Sequence, residues 1–527
     1  MAKGGNSSAQ GKKTDAPPRI PIRGARALPL PAIPAALGMA AAYYSYPALN
    51  SLPHGQYILL TVMAVLVAAI CFARVLRLQL NGNETGHFAS IIKKAGILAA
   101  AAALGFFLGI AARRAVSGPA VFALPAASVN SISGILQEDP RALYGGSGFG
   151  TLELRECGSR GGVRAGAGGL IAVFFPEESI PRLKEFGRGC EIFIEGGLSQ
   201  GRGGPLFNAN SVHIIGPPPA LESFRTGLRM TLLDAFKGRR GGALPVWGSF
   251  AQALLLGVRD DLDVDLSTGF TNSGCSHILA LSGMHLAIIS GVLAFLLRRP
   301  LGLRWAALAG AAFIVFYVFI AGSQPSLVRA AIMYLLGTFA LWGFLETRPL
   351  SLLCMAFIIQ GIFQSDAGVS LSFILSYLAL AGILTLGESL RALFRGRLPD
   401  IINGGLSASL GAFIISSPVV ALYFGSLRPI GIFAGLVLAP LSSLFMVMAL
   451  AALVAAFLPL PIWNIFDFFL TVVYRLIESI VSIAGNIPGL QIPYPLAVLT
   501  GAVFFWAIIL YFQRRDSTAR KSIAAFD

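Results

Sequence analysis

The sequence predicts a polytopic α-helical membrane protein of about 10–12 transmembrane helices that carries one extracytoplasmic all-β, OB-like domain. Three observations predict it. Of the 527 residues, 55% are hydrophobic and only 12% charged, about half the charged fraction of a soluble chain. Apolar runs recur from residue 28 to residue 512, and a bilayer crossing needs about 20 apolar residues. One stretch, 115–215, interrupts them with short β-type runs separated by Gly and Pro.

From the N-terminus, residues 1–27 read as a disordered basic cytoplasmic tail, too long and polar for a signal peptide. Residues 28–114 hold three apolar runs, at 28–48, 56–78 and 95–112. The positive-inside rule starts the first of them in the cytoplasm and leaves residue 115 outside, which strands Arg113 and Arg114 on the outer side. The formal charge of +15 collects at such helix ends and tails, including Lys93, Lys94, Arg298, Arg299 and Arg391. Membrane topology accounts for it without a nucleic-acid partner.

In 115–215 the β-type runs are Val129 to Leu136, Gly150 to Leu154, Leu170 to Phe175, Cys190 to Glu195 and Asn208 to Ile215, which suits a five-stranded OB-like barrel. Its eight Arg and Lys against nine Asp and Glu, with few aromatics, argue against strong electrostatic capture of DNA by this domain. Cys157 and Cys190 both lie here, and an extracytoplasmic setting permits a disulfide between them. Cys71, Cys275 and Cys354 sit in or beside apolar runs and read as packing residues.

Residues 216–245 begin with three prolines and continue as an amphipathic pattern, with Leu221, Phe224, Leu228, Leu232 and Phe236 interleaved with Arg225, Arg229 and Lys237. This suits an interfacial helix. Residues 246–512 hold nine candidate crossings, and 513–527 form a basic cytoplasmic tail. The run 246–257 is too short to span and reads as re-entrant, and Pro440 is expected to break or kink its helix.

Polar groups inside spans are costly and mark packing or function. His277 and His285 stand eight residues apart, about 80° around a continuous helix, with Ser282 beside His285. They read either as a polar strip along a path or as hydrogen-bonded packing. Ser326 and Arg329 open the next apolar helix, where a guanidinium can engage phosphate or snorkel to the interface. Asp366 is placed to pair with Arg329 or to cap a helix, and Ser372 and Ser376 share a helix face. The run Arg259 to Asp265 reads as a polar turn, because Leu266 stands where a calcium loop needs Gly. No G-x-x-x-x-G-K-[ST] loop occurs and the five His are scattered, so the sequence predicts no NTP motor, no nuclease centre, no metal and no cofactor.

These segments, in this order, resemble the ComEC competence family. The resemblance rests on Leu254-Leu255-Leu256-Gly257 with Arg259, on His277-Ile278-Leu279-Ala280-Leu281-Ser282-Gly283-Met284-His285, on Ser323, Pro325, Ser326, Arg329 and Ala330, and on Asp366, Gly368, Leu371, Ser372, Phe373 and Ser376. It implies a multi-pass protein of the bacterial inner membrane that admits single-stranded DNA in natural transformation, a non-enzymatic role. His277, Ser282, His285, Ser326, Arg329, Asp366, Ser372 and Ser376 then become candidates for the DNA path or gate. The implied partners are single-stranded DNA, an extracytoplasmic DNA receptor, a separate nuclease, a cytoplasmic helicase or single-strand-binding proteins, and the lipid bilayer. Many family members carry a metallo-β-lactamase-like domain that this sequence does not contain, so strand degradation is expected from another protein. The rival readings are a transporter of another polyanion or small solute, and an intramembrane hydrolase using Ser282 and His285.

Overall fold

The computed structural model describes residues 26–27, 32–50, 85–237 apart from 117, 119, 144–145 and 202–203, 244–457 and 463–493. The expected tail over residues 1–25, the crossings at 56–78 and 494–512, and the C-terminal tail lie outside the described residues.

Two helices, α1 (Ala32–Asn50) and α2 (Thr85–Arg114), pack against each other along small residues. Arg113, the cation on the unexpected side, lies 5.4 Å from the centroid of the Tyr43 ring. That contact gives the charge a partner at the helix end. Tyr43 and Tyr44 in turn donate to the carbonyls of Ser365 and Gly368 at 2.6 and 3.0 Å, which ties α1 to the C-terminal helices.

The β domain is a closed barrel. Its strands are β1 (Val129–Leu136), β2 (Gly148–Ser159), β3 (Arg164–Gly168), β4 (Leu170–Phe175), β5 (Glu191–Gly201) and β6 (Gly204–Gly216), with a short helix α3 (Ile180–Phe186) between β4 and β5. The pairings run β1–β2–β4–β6–β5 and back to β1, all antiparallel except β4–β6. Alternating residues such as Ile171, Val173 and Phe175 point inward and fill the core. Strand β3 is a hairpin extension of β2 that its sequence, Arg-Ala-Gly-Ala-Gly, hides for want of strand-forming side chains.

The expected disulfide does not form: Cys157 and Cys190 are both buried as free thiols. Cys157 pairs with Ile132 in the middle of β1, whereas the Cys190 carbonyl accepts from the Leu136 N–H at its end. Four residues of strand separate them by about 13 Å, well beyond the span of a disulfide. Burial pushes the Cys190 thiol up to about 11.

Helix α4 (Ala220–Ala235) joins barrel to membrane region. Leu228, Leu232, Leu233 and Phe236 pack on the main helical core, while Leu221 and Phe224 stay exposed. The cations do not form the free face expected of a helix lying on lipid headgroups. Arg225, 0% exposed, and Arg229 both turn to Asp139 of the barrel, and Glu222 takes Arg188 and Arg225 at 2.6 and 2.7 Å. An ion-pair network inside the protein has replaced the headgroups.

The membrane region follows as α5 (Gly248–Leu256), α6 (Val264–Asn272), α7 (Ser276–Leu279), α8 (Gly283–Ala321), α9 (Pro325–Trp342), α10 (Pro349–Phe363), α11 (Leu371–Gly382), α12 (Glu388–Leu393), α13 (Asp400–Phe424), α14 (Ile430–Phe457) and α15 (Trp463–Gly485). A π-turn over Ile383–Gly387 makes α11 and α12 one long run. Six helical runs among the described residues are long and apolar enough to cross a membrane, and α10 is a shorter apolar helix. The chain is therefore a multi-pass membrane protein. Helix α8 breaks beside Pro300, where Gly302 takes φ 77° and ψ 169°, so its 39 residues form two segments, as the two expected crossings require. Helix α5 is too short to span and is buried almost throughout. Helix α14 continues through Pro440, so the proline does not break it. Packed neighbours in a membrane bundle can re-satisfy the carbonyl that a proline releases.

Two stability predictions follow from this packing. Burial alone would raise the Asp139 carboxyl, but the Arg225 hydrogen bond, the Arg229 and Arg225 charges and the Arg188 N–H hold it below the ordinary aspartate value. Its stabilising contribution is therefore complete above about pH 4 and is lost as pH falls through the lowered value. Asp139→Ala should cost on the order of 3 kcal/mol by stranding Arg225, read as a lower thermal midpoint and faster proteolysis between barrel and helices, and the variant should lack the acid step expected of the wild type. A Cβ on Gly382 would come within 2.3 Å of the Gly411 carbonyl, so Gly382→Ala should push α11 from α13 and cost about 1–3 kcal/mol in detergent unfolding.

Candidate functional site

The first positioning element is the end of α5. Leu254, Leu255 and Leu256 are buried, and Gly257 stops the helix in the left-handed conformation at φ 70°. The chain then turns through Arg259 and Asp260. Asp260 accepts from the Ala142 N–H at 3.0 Å and pairs with Lys184 at 2.9 Å, so this turn docks the barrel on the helices. Arg259 donates to the Leu279 carbonyl at 2.8 Å. Asp263 caps α6, accepting from the Asp265 N–H at 2.9 Å. The polar turn read from the sequence is thus a docking and capping element.

The two histidines do not share a helix. The short α7 ends at Leu279, Ala280 is extended with ψ 133°, and a new helix begins at Gly283. The helical-wheel argument fails because Ser282 starts this second helix as its N-cap. The Ser282 N–H donates to His285 Nδ1 at 3.0 Å, and Ser282 Oγ lies 2.9 Å from the same nitrogen, a reciprocal capping box. His285 is 1% exposed, whereas His277 is exposed. Because Nδ1 accepts from a backbone N–H, the ring proton sits on Nε2, which is buried and has no hydrogen-bond partner among the described residues. No carboxylate among the described residues orients the ring, so the pair is built as a helix cap and lacks there the third member of a hydrolytic triad.

Helix α9 meets this junction from the side. Ser326 Oγ donates to the Leu281 carbonyl at 2.5 Å, just before the cap. One turn on, Arg329 is 8% exposed and its guanidinium packs over Gly283, the first residue of α8. Nη1 donates to the Ser376 carbonyl on α11, and the guanidinium carbon stands 5.8 Å from the centroid of the Tyr377 ring. Nε has no partner, and no ion pair reaches Arg329 among the described residues. The expected Asp366–Arg329 pair is absent. Asp366 is exposed, in the turn Ser365–Val369, whose backbone accepts from Tyr43 and Tyr44 on the α1 side. It is Ser370 that caps α11, accepting from the Phe373 N–H at 3.2 Å.

Of the eight candidates, the fold brings together Ser282, His285, Ser326, Arg329 and, through its carbonyl, Ser376. His277, Asp366 and Ser372 stay exposed and apart from these contacts. The sequence reading missed Gln360, a fully buried amide on α10 that donates to the Pro325 carbonyl and to Gln364 Oε1, each at 2.9 Å, and accepts from Tyr377 at 2.8 Å. Its signal was a lone amide in an apolar run. The missed Tyr377 closes the same network beneath Arg329.

A buried guanidinium facing only neutral acceptors, at the N-terminus of a helix, is a setting in which an anion gains strong hydrogen bonds. The competence protein family model matches residues 254–515. The chain is 26% identical to ComE operon protein 3 of Bacillus subtilis (strain 168), over 47% of this chain and 32% of that protein. It is 27% identical to an uncharacterized protein of Aquifex aeolicus (strain VF5), over 37% of this chain and 45% of that one. The matched stretches therefore take in less than half of either relative. No solved structure matches. Through the domain at residues 254–515, which holds the capped junction and Arg329, the chain belongs to the competence (ComEC) family.

Proposed function

We propose that the protein conducts single-stranded DNA across the bacterial inner membrane during natural transformation, with the barrel on the outer side. The observation that carries this reading is Arg329. It is a buried cation in a spanning helix, donating to a backbone carbonyl, with Nε unpartnered and no carboxylate paired to it among the described residues. Burying an arginine in this way is expensive unless an anion visits it. A DNA phosphate accepts the forked donors that a guanidinium offers. Ser282, His285 and Ser326 hold the adjoining helix ends in place, and Ser376 and Tyr377 hold Arg329 in its waiting position. In this role His277, Asp366 and Ser372 flank the path from exposed positions. The barrel meets the junction through Asp260, with Arg259 reaching Leu279 three residues before Ser282, so docking of the barrel and order at the gate are mechanically joined.

The transport role asks of this chain no cofactor, and strand degradation and pulling fall to a nuclease and a helicase or single-strand-binding partner. The Ser282 and His285 hydrolase reading is disfavoured by the capping geometry.

Purified protein in a planar bilayer should show current blockades with single-stranded DNA, driven by applied voltage. Arg329→Ala should reduce their frequency at least tenfold while leaving the elution profile and thermal midpoint of the protein near wild type. Arg329→Lys should recover only part of the loss, since an ammonium lacks the fork. Equal blockade rates in all three proteins would remove Arg329 from the mechanism.

A further inference from the structure

Helix α15 carries a feature that the competence motifs do not include. Asn464, Asp467, Thr471, Arg475, Glu478 and Ser482 recur at intervals of three or four residues along it. That is one polar residue per turn over 18 residues, a stripe about 27 Å long, close to the full hydrocarbon thickness. About 90° round the helix from it, Leu470, Tyr474, Ile477 and Val481 are buried in the main core. A third face, with Ile465, Phe468, Val472, Leu476 and Ile483, is exposed and apolar, as a lipid-facing surface should be. The helix thus separates core, lipid and polar faces.

The polar face is open. The side chains of Arg475 and Glu478 are 58% and 33% exposed, and they pair with each other at 2.8 Å. Asp467 accepts from the Trp247 indole at 2.8 Å, and Asn464 and Ser482 are exposed. An ion pair midway along an apolar span, turned to hydrocarbon, is costly. Beside the second half of α15 lies α6, a nine-residue helix too short to cross, where Gly269 packs against Val481. Its Asp265, Thr268 and Thr271 are exposed as well. Polar side chains carried by or packed beside a spanning helix are tolerated where protein covers them or water reaches them. Half of the stripe is Asn, Thr and Ser, and its one large cation is already tied to Glu478, so it offers no free anchor for a protein partner.

We infer that the polar face of α15, with α6 beside it, lines a water-filled crevice running most of the way through the membrane domain, apart from the Arg329 junction. Its two carboxylates against one guanidinium suit water and small hydrophilic solutes and give a polyanion no attraction. The crevice is independent of the DNA reading, because it rests on α15 and α6 alone.

Cysteine accessibility in the full chain, reconstituted in lipid vesicles, tests it. Thr471→Cys and Ser482→Cys lie on the stripe, and Val472→Cys and Ile483→Cys are their lipid-facing neighbours. Each rate with a membrane-impermeant cationic methanethiosulfonate is read above the background of the five native cysteines. The two stripe positions should react at least tenfold faster than their neighbours. Near-equal rates, or stripe positions protected from this reagent, would overturn the crevice, and protection from a lipid-soluble maleimide as well would identify a protein cover instead. Thr268→Cys on α6 supplies an independent reading should a variant on α15 fail to elute as wild type.

Discussion

The rest of the structure depends on the absence of water from the packed interior of the membrane region, which drives the polar groups buried there to find partners in the protein. The partnerships are local and specific. Ser282 and His285 cap one another, Ser326 reaches the Leu281 carbonyl, and Gln360 joins α9, α10 and α11 through Pro325 and Tyr377. Tyr317 donates to the Leu255 carbonyl at 2.7 Å and fixes the buried helix α5 against α8. Such bonds do not have to be strong, because the alternative is a buried group with no partner. Against this background three buried atoms of the described membrane helices lack a partner: Ser442 Oγ on α14, and Arg329 Nε and His285 Nε2, on side chains that meet the first turn of α8.

The same constraint explains why the barrel and the helices are joined by charge. Outside the hydrocarbon an ion pair is affordable, and the contacts there are Asp139 with Arg225 and Arg229, Glu222 with Arg188, and Asp260 with Lys184. Burial works against each charge alone; the clustering of opposite charges keeps Asp139 ionised and raises Arg225 against the pull of its own desolvation. Helix α4 is thereby a bracket, with its leucines on the helical core and its arginines on the barrel. The barrel takes a defined position over the turn that leads to Arg259 and the α8 cap.

Much of the architecture was legible from periodicity. The strands Val129–Leu136 and Leu170–Phe175 fall where alternation put them, and the spans from α9 to α15 lie within a few residues of the apolar runs. Strand β3 was hidden because Arg164–Gly168 has no strand-forming side chains and exists only as the partner of β2. Pro440 does not end its helix, because packed neighbours around α14 can take up the carbonyl it releases. At the site, residue identity was legible and spatial company was not. His277 and His285 look like one helical face until Ser282 is seen to start a new helix.

The sequence by itself determined that this is a multi-pass membrane protein with a small β domain, because hydrophobic run length and period two alternation are local properties. It also marked Ser282, His285, Ser326 and Arg329 as unusual, because polar side chains inside apolar runs are conspicuous wherever they point. Only the tertiary structure decided which of them meet. It placed Arg329 on Gly283 and Ser376, moved Asp366 to the side of Tyr43, kept Cys157 and Cys190 apart along β1, and turned the α4 arginines from lipid to the barrel. The physical reason is that burial and pairing are set by contacts between residues tens to hundreds of positions apart, and spacing along the chain carries no record of them.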